Sequence, residues 1–362
     1  MNSENYEYWL LCIPHLPSRI KILLDEHCGS AENVYRMSSE ELGHFQFMTD
    51  DCLQAVEQSR RVWNADDAAA ELERSGARIV TWRSADYPFR MSTLSDAPYA
   101  FCLKGRMPDP GMPMVAIVGA RACSPYGKRQ AEKITEALAS SGVGIISGMA
   151  LGIDGIAQRC ALEQGGYSLA VLGCGVDICY PERHHPLYNS LINKGGIISE
   201  FPALEPPLKT HFPQRNRLIS VLADAVVVIE AREKSGSLIT ADFALEQGRD
   251  VYALPGPCDS LLSRGCHKLI EQGARILIDP ADILKELGKA GTKKKSAPDP
   301  GTLPPLPDQE RIIMEHLSDA PVKLSELELM TGFTPQILSG SLLSLQLKGL
   351  ARELSRQHYI RA

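Results

Sequence analysis

Short β-branched runs alternate with longer amphipathic stretches between Met114 and Leu287. The apolar runs are Val115–Val118, Gly144–Ile146, Leu169–Leu172, Ile197–Ile198, Ala225–Ile229, Val251–Leu254 and Ile276–Ile278. Helical periodicity lies between them, over Lys128–Ser140, Ile153–Gln164, Leu187–Asn193, Leu238–Gln247 and His267–Glu271. Strands that alternate with helices form a mainly parallel sheet that is covered on both faces. The pattern therefore predicts an α/β domain over residues 114–288.

The regions before this domain have different patterns. Residues 1–80 contain short helical stretches with capping residues, such as Ser38-Ser39-Glu40-Glu41-Leu42, and predict a separate helical domain. Residues 81–113 have no clear period and predict an irregular connecting arm.

The C-terminal region begins with a change in composition. Residues 289–307 are rich in Pro, Gly, Lys and Ser, which is typical of a linker. The three lysines Lys293–Lys295 could contact phosphate, but a solvated linker is the better explanation of them. Residues 308–362 show three helical stretches and then two strand runs, Leu350–Leu354 and Gln357–Ile360. This order predicts a winged-helix domain.

Composition excludes several classes of protein. With 362 residues, 44% hydrophobic and 23% charged, the chain is long enough for two or three globular domains. No apolar run reaches the roughly 20 residues of a membrane span, and the acidic N-terminus is not a signal peptide, so we expect a cytoplasmic protein without membrane insertion. The ten cysteines form no C-x-x-C pair, so neither a structural metal nor another cofactor is expected. Because the net charge is −6, nucleic-acid binding would have to rest on local cations.

The first candidate site is the turn that follows the run Val115–Val118. Gly119 allows a ligand to approach the backbone closely, and Arg121 offers a bidentate phosphate donor next to a helix N-terminus. A turn glycine followed by a solvated arginine is an equally good explanation. Neither a G-x-G-x-x-G nor a G-x-x-x-x-G-K-[ST] motif is present in the turn.

Two further strand-to-helix junctions are rich in glycine and serine. Ser147 and Gly148 would keep a loop close to any ligand at the carboxyl edge of the sheet, with Asp154 as a possible helix cap. The run Ser235-Gly236-Ser237 opens a helix and could bind an anion through its hydroxyls and amides. A structural turn and a plain N-cap remain open as alternatives.

The most informative segment has cations interleaved with an aromatic residue. Lys209, Phe212, Arg215, Asn216 and Arg217 fall within nine residues of an otherwise acidic chain. Phosphates require positive charge and unpaired bases require a stacking surface, so this composition suits single-stranded nucleic acid. Two alternatives stay open at this point: the aromatic ring belongs to the core, or Arg215 pairs internally with Glu200.

Motifs of known catalytic chemistry are missing. The sequence has no G-x-S-x-G nucleophile elbow and no H-E-x-x-H metal helix, and His184-His185 has no matching ligand pair. We therefore expect no catalytic residues and no enzymatic activity.

Taken in order, these segments resemble the DNA-processing protein A family (DprA, also called Smf). The resemblance runs from about Val115 to Ile278 and depends on the motifs VAIVGAR, SGMALGID, LGCGVDICYP, SEFP, FPQRNRLIS, SGSLITADFALEQGRDVYALPG and LIEQGA. The sequence departs from the family pattern at Leu151, Gln158 and His267, where the family usually has arginine, histidine and asparagine.

The resemblance implies an extended Rossmann-like fold, flanked by an N-terminal helical (SAM-like) domain and a C-terminal winged helix. It implies a dimer that binds and protects incoming single-stranded DNA and loads the RecA recombinase during natural transformation. By the same resemblance, the DNA-binding residues are Gly119, Arg121, Ser147, Gly148, Lys209, Phe212, Arg215, Asn216, Arg217, Ser235, Gly236 and Ser237. The dimer interface is expected at the apolar residues Leu261, Leu262, Leu269 and Ile270.

Two enzymatic alternatives are weaker. A nucleotide phosphoribohydrolase of the lysine-decarboxylase-like family shares the fold, but its signature P-G-G-x-G-T-x-x-E is replaced here by SGSLITADFALE, with Glu246 well inside the helix. A dinucleotide-dependent oxidoreductase is disfavoured because the glycine fingerprint is missing.

Overall fold

The computed structural model describes residues 3–288, 306–318, 321–355 and 358–361. They belong to two compact units, one within residues 1–292 and one within residues 293–362. Most of the predicted linker, including Lys293–Lys295, lies outside the described residues, so this prediction is not tested. The domain boundaries at residues 80 and 113 also stay predictions.

The first unit contains one sheet with helices on both faces. Its helices are α1 (Ser3–Cys12), α2 (Ser18–Cys28), α3 (Ala31–Arg36), α4 (Ser39–Gly43), α5 (Asp50–Val62), α6 (Ala65–Ser75), α7 (Phe89–Ser92), α8 (Pro125–Ser140), α9 (Ile153–Glu163), α10 (His185–Lys194), α11 (His211–Leu222), α12 (Gly236–Glu246), α13 (Arg264–Glu271) and α14 (Pro280–Glu286). Its strands are β1 (Arg78–Thr81), β2 (Ala100–Gly105), β3 (Met114–Gly119), β4 (Gly144–Ser147), β5 (Ser168–Val171), β6 (Gly196–Ser199), β7 (Ala225–Ile229), β8 (Asp250–Ala253) and β9 (Arg275–Ile276).

The sheet has the strand order β1-β2-β6-β5-β4-β3-β7-β8-β9. The seven strands from β6 to β9 in this order are parallel, whereas β2 pairs antiparallel with both β1 and β6. All seven predicted strands are confirmed, which establishes the mainly parallel, Rossmann-like α/β fold.

Side chains alternate between the two faces along the central strands, as the pleat requires. Val115 and Ile117 of β3 pack with α8 and α9, whereas Ala116 and Val118 pack with α11, α12 and α13. Because both faces are buried, these strands are continuous runs of apolar residues rather than alternating ones. This is why the sequence signal was strong for the parallel strands.

The segment 81–113 is not the irregular arm that the sequence predicts. It contains β2, whose residues Ala100, Phe101, Cys102 and Leu103 are fully buried and extend the sheet at its antiparallel edge. The N-terminal helices pack over this edge, and Trp9 and Leu24 share one hydrophobic core with Ala100 and Cys102.

The chain order creates a switch point in the sheet. After β3 the chain adds β4, β5 and β6 on one side, and it then crosses back to add β7, β8 and β9 on the other. In open α/β sheets, ligands bind outside the carboxyl ends of the strands at such a point. A binding site is therefore expected at the loops after β3 and β7.

The second unit is a winged-helix domain. It comprises α15 (Asp308–His316), β10 (Val322–Lys323), α16 (Leu324–Thr331), α17 (Pro335–Leu347), β11 (Ala351–Ser355) and β12 (His358–Arg361). The strands form a small sheet in the order β10-β12-β11, and Ile313, Leu327, Leu338, Leu342 and Leu345 form the core. The three predicted helices are present, and both predicted strands are confirmed to within one residue at their ends, although Gln357 itself lies outside the described residues.

Within the described residues, no helix is long and apolar enough to cross a membrane. The same residues contain no group of three or more histidine, cysteine or acidic side chains that could hold a metal ion. All ten cysteines are free thiols.

Candidate nucleic-acid interface

A cleft of about 820 Å³ opens at the switch point. It is bounded by the loops after β3 and β7, by the start of α11 and by the N-terminus of α12. The cleft brings together most of the predicted DNA-binding residues, namely Gly119, Arg121, Lys209, Phe212, Arg215, Asn216, Ser235, Gly236 and Ser237. Ser147, Gly148 and Arg217 do not line it.

The turn after β3 is held by close backbone packing. A Cβ atom on Gly119 would lie only 1.9 Å from the carbonyl oxygen of Ile229, so glycine is required there. Gly152 adopts a φ of +77° and lies against the carbonyl oxygens of Ala120 and Arg121. Because the turn is fixed on both sides, Arg121 extends from a rigid base, and its side chain is exposed at the cleft.

Aromatic rings lie beside this arginine. The guanidinium carbon of Arg121 is 5.7 Å from the centroid of the Phe212 ring, and the centroids of the Tyr180 and Phe212 rings are 5.6 Å apart. The Phe212 ring packs on the backbone of Gly173, where a Cβ atom would lie 2.9 Å from Cδ1. The ring is thus half-buried at the cleft wall and is not part of the hydrophobic core, which decides the first alternative left open by the sequence.

Arg215 requires a correction. Its side chain is buried, with 4% exposure, and Nη1 donates hydrogen bonds to the carbonyl oxygens of Gly148, at 3.0 Å, and Val171. Burial lowers the pKa of this guanidinium to about 10, although the charge of Asp154 opposes the shift. Nε and Nη1 of Arg215 already donate hydrogen bonds within the protein. We therefore assign it to the floor of the cleft, where it holds the loop after β4.

Arg217 requires the same correction. It is 5% exposed and pairs with Glu200, at 2.5 Å, and with Asp96, at 2.9 Å. The internal partner of Glu200 is therefore Arg217 and not Arg215, as the sequence alternative had it. The charge of Arg217 is compensated inside the unit, so we do not retain it as a DNA contact.

Ser147 and Gly148 also act within the protein. The Ser147 hydroxyl is buried and donates to the carbonyl oxygen of Ile117 at 2.6 Å, which joins β4 to β3. The amide of Gly148 donates to the Asp154 carboxylate at 3.1 Å. Burial raises the pKa of Asp154, and the neighbouring Arg215 opposes this shift. These residues support the cleft from below.

The loop that opens α12 is coupled to α11 through Asn216. The side-chain amide of Asn216 donates to the Gly236 carbonyl at 3.2 Å, while its oxygen accepts from Nε of Arg215 at 3.2 Å. The Ser235 hydroxyl accepts from the Ser237 amide at 3.4 Å and caps the helix. The residues of this loop therefore cap α12 and line the cleft at the same time.

The sequence interpretation missed three cationic or aromatic residues of the cleft: Tyr180, Arg232 and Lys234. The two cations follow β7 directly, in the run Glu230-Ala231-Arg232-Glu233-Lys234. Because the carboxyl ends of parallel strands meet at one edge, their position after a buried strand was the available signal.

The cleft is locally positive although the chain is acidic. Arg121, Lys209, Arg232 and Lys234 are exposed, and none of them forms an ion pair with another described residue. The carboxylate that lines the cleft, Asp154, is buried beside Arg215. Four uncompensated cations around two aromatic rings match the requirements of a single strand of nucleic acid.

The departures from the family pattern have structural partners at two positions. Gln158 is buried, and its side chain accepts from the Met149 amide at 3.0 Å and donates to the Leu169 carbonyl at 3.1 Å. His267 Nε2 lies 2.9 Å from the Gly256 carbonyl oxygen. Leu151 is exposed and has no such role.

The four residues that were predicted to form the dimer interface differ in their exposure to solvent. Leu269 is 3% exposed and belongs to the core beneath α13, so it is not available to a partner. Ile270 packs partly against the same core, and Leu262 lines the cleft. Leu261, at 55% exposure, is the member of the set that presents a free apolar side chain. The amphipathic period of α13 explains this, because Leu269 lies on the face that covers the sheet.

Comparisons with known proteins agree with this geometry. Residues 78–288 match the sequence profile of the DNA recombination-mediator protein A family, and residues 297–355 match that of the DprA winged helix domain. Protein Smf of Escherichia coli K12 is 45% identical over 60% of this chain, although the match spans only 58% of that protein. Protein Smf of Synechocystis is 30% identical over 93% of this chain and 94% of its own length.

Solved structures show the same fold. DNA processing protein A from Streptococcus pneumoniae superposes with a TM-score of 0.70 at 33% identity, covering 79% of this chain and 99% of that one. DNA processing protein A from Helicobacter pylori, described by its single-stranded DNA binding mode, gives a TM-score of 0.53 at 30% identity over 59% of this chain and 98% of its own. The profile match over more than half of the sequence, together with the Synechocystis relative, shows that this chain belongs to the DNA recombination-mediator protein A (DprA/Smf) family.

Proposed function

We propose that the protein binds single-stranded DNA in the switch-point cleft and does so as a recombination mediator without catalytic activity. The observation that carries the proposal is the arrangement of four exposed, unpaired cations, Arg121, Lys209, Arg232 and Lys234, around the rings of Phe212 and Tyr180. The single-stranded DNA binding mode of the Helicobacter pylori relative supports the same ligand.

The two parts of the cleft would contact different parts of the DNA. The cations would neutralise phosphates, and each would release counterions. The rings of Phe212 and Tyr180 at the cleft wall would stack on unpaired bases, which a duplex does not offer. Gly119, Ser235, Gly236 and Ser237 would let the backbone approach closely, whereas Ser147, Gly148, Arg215, Asn216 and Arg217 would keep the cleft in shape.

The test is a comparison of affinity for a labelled oligothymidine and for a duplex of equal length, by fluorescence anisotropy. Lys209→Ala should weaken binding of the single strand. Lys194→Ala is the matched control, because Lys194 is an exposed lysine at the end of α10, directly before β6 and thus at the amino ends of the parallel strands. Equal loss in both variants would mean that binding depends on bulk charge and not on the cleft.

We further propose that this DNA complex loads RecA during natural transformation in the cytoplasm. The family resemblance supports this step, and its test is the rate of RecA filament formation on DNA precoated with a single-strand binding protein. Wild-type protein should accelerate it, and Lys209→Ala should accelerate it less. If the wild-type protein binds DNA normally but does not accelerate filament formation, DNA binding does not lead to RecA loading. This role is then excluded.

A homodimer is part of the same proposal, with its interface near α13. Leu261 is its exposed apolar candidate, so Leu261→Arg should dissociate the dimer in sedimentation experiments. Leu269→Arg is the wrong test because it would place a charge in the core. If Leu261→Arg and wild type have the same sedimentation distributions at every concentration, this surface is excluded.

The phosphoribohydrolase alternative is disfavoured by the position of its acid. Glu246 does not lie well inside the helix, as predicted from the sequence, but is the last residue of α12. It is exposed and does not line the cleft, whose boundary includes the first residue of that helix. Incubation with nucleoside 5′-monophosphates should therefore release no free base, as judged by chromatography. Sustained release of base that Glu246→Gln abolishes would favour the enzyme.

A further inference from the structure

The outer face of α17 has an unusual composition for a winged-helix domain. Its inner face is formed by Leu338, Leu342 and Leu345, which are buried in the core. The opposite face contains Gly340 together with Leu343 and Leu347, whose side chains are 58% and 83% exposed. Two leucines four residues apart lie side by side on a helix surface. The helix therefore presents an apolar stripe to solvent.

This stripe is poorly suited to DNA. In helix-turn-helix domains the second helix of the pair enters the major groove, and Lys or Arg neutralises the charge of the surrounding phosphates. Residues 335–347 contain no Lys, Arg, Asp or Glu. The sequence of the second unit from Asp308 onward has seven acidic and six basic residues, so it does not supply a strong positive field either.

The shape of the stripe favours another helix as its partner. A Cβ atom built on Gly340 would have no heavy atom within 4 Å, so the backbone is open to close approach at this point. Small residues allow two helices to approach closely, and flanking leucines then fill the space between them. Two further apolar side chains, Leu329 at 87% and Met330 at 55% exposure, lie near the end of the neighbouring helix α16.

We propose that the outer face of α17 pairs with the same face of a second copy of this chain, with the two helices crossing at Gly340. A two-fold interface places identical patches against each other, and charges on such a patch would repel their own copies. The absence of charge in residues 335–347 removes that penalty, and each Leu343–Leu347 stripe is covered by the other. The acidic residues Glu326 and Glu328 of α16 are exposed, so screening by salt is expected to favour this pairing.

The pairing adds an association step that is independent of the DNA cleft. Sedimentation velocity of the full chain over the micromolar range should show a concentration-dependent step, whether or not the first unit also dimerises. The double variant Leu343→Glu/Leu347→Glu should abolish this step, whereas Gln309→Glu, at an exposed site on α15, should retain it. Both variants should unfold cooperatively, at a melting temperature close to that of wild type. Identical distributions for wild type and the double variant would overturn the proposal.

A cross-linking experiment tests the position of the crossing. In a chain whose exposed Cys258 is replaced by serine, Gly340→Cys should form a disulfide-linked dimer under mild oxidation, because closely crossing helices bring Cα atoms within the roughly 4.4–6.8 Å that a disulfide needs. Gln309→Cys is the control and should form far less. Equal yields from the two positions, or suppression of the Gly340→Cys product by added sodium chloride, would contradict this interface. Unchanged affinity of the double variant for oligothymidine would show that its effect is separate from DNA binding.

Discussion

The guanidinium group of Arg215 fills the space that a side chain on Gly148 would need. A Cβ atom at residue 148 would lie 2.5 Å from Nη2 of Arg215 and 2.7 Å from Cζ. The arginine cannot move aside freely, because Nη1 donates to the carbonyl oxygens of Gly148 and Val171. The loop after β4 and the helix α11 are therefore locked together beneath the cleft.

This relationship predicts the effect of Gly148→Ala. The added methyl group should displace Arg215 and lower the free energy of unfolding by about 1–3 kcal/mol, as overpacking does in a dense interior. Urea denaturation measures it. Gly236→Ala is the control, because a Cβ atom there has no neighbour within 4 Å, and it should be close to neutral. Equal stability of the two variants would show that the Arg215 position is not constrained.

Arg217 should behave as a structural residue. Arg217→Met leaves Glu200, whose side chain is 5% exposed, without its buried partner. Breaking such a pair costs about 3–5 kcal/mol, whereas Arg36→Met, at the exposed pair with Glu32, should leave stability almost unchanged. Thermal and urea unfolding of the two variants measure this difference in stability. If Arg217→Met is as stable as wild type and lowers the salt dependence of DNA binding, Arg217 is a phosphate contact after all.

Phe212 should contribute to affinity without contributing charge. Removing the ring with Phe212→Ala should weaken oligothymidine binding by about 1–3 kcal/mol, because base stacking is lost, and the slope of log affinity against log salt should not change. Phe212→Trp retains a stacking surface and should recover most of the affinity. A change of slope in Phe212→Ala, or no loss of affinity, would show that the ring does not stack on a base.

Lys21 predicts a specific dependence of stability on pH. It is buried, its Nζ donates to the Leu11 carbonyl at 2.6 Å, and burial lowers its pKa to about 8. In the unfolded chain the pKa is about 10.4, so between these values the unfolded state binds more protons and stability rises with pH. The free energy of unfolding of wild type relative to Lys21→Met should therefore increase from pH 8 to above pH 10, by about 3 kcal/mol at most, since one pKa unit corresponds to about 1.4 kcal/mol. If the difference in free energy of unfolding between wild type and Lys21→Met does not change across this range, the pKa of Lys21 is not lowered by burial.

The sequence predicted the central sheet well because parallel strands are buried on both faces and therefore appear as apolar runs. It failed at β2, which lies in a region rich in proline and glycine, and at α11, where Pro213 and six polar or charged residues hid the helical period. It located the cleft through Arg121, Lys209 and Phe212. It could not separate these from Arg215 and Arg217, because residue type does not reveal that Val171 and Glu200 lie within hydrogen-bond distance. The same limit applies to Leu269, whose burial depends on which face of α13 covers the sheet.

The most direct measurement is a salt titration of oligothymidine affinity in wild type, Arg121→Ala, Lys209→Ala, Arg232→Ala, Lys234→Ala and the control Lys194→Ala. Each cleft variant should lower the magnitude of the log–log slope by about 0.7, the value for one phosphate contact on a single strand, and Lys194→Ala should leave it unchanged. Slopes that are the same in wild type and all four cleft variants would contradict the account and place the DNA site elsewhere on the chain.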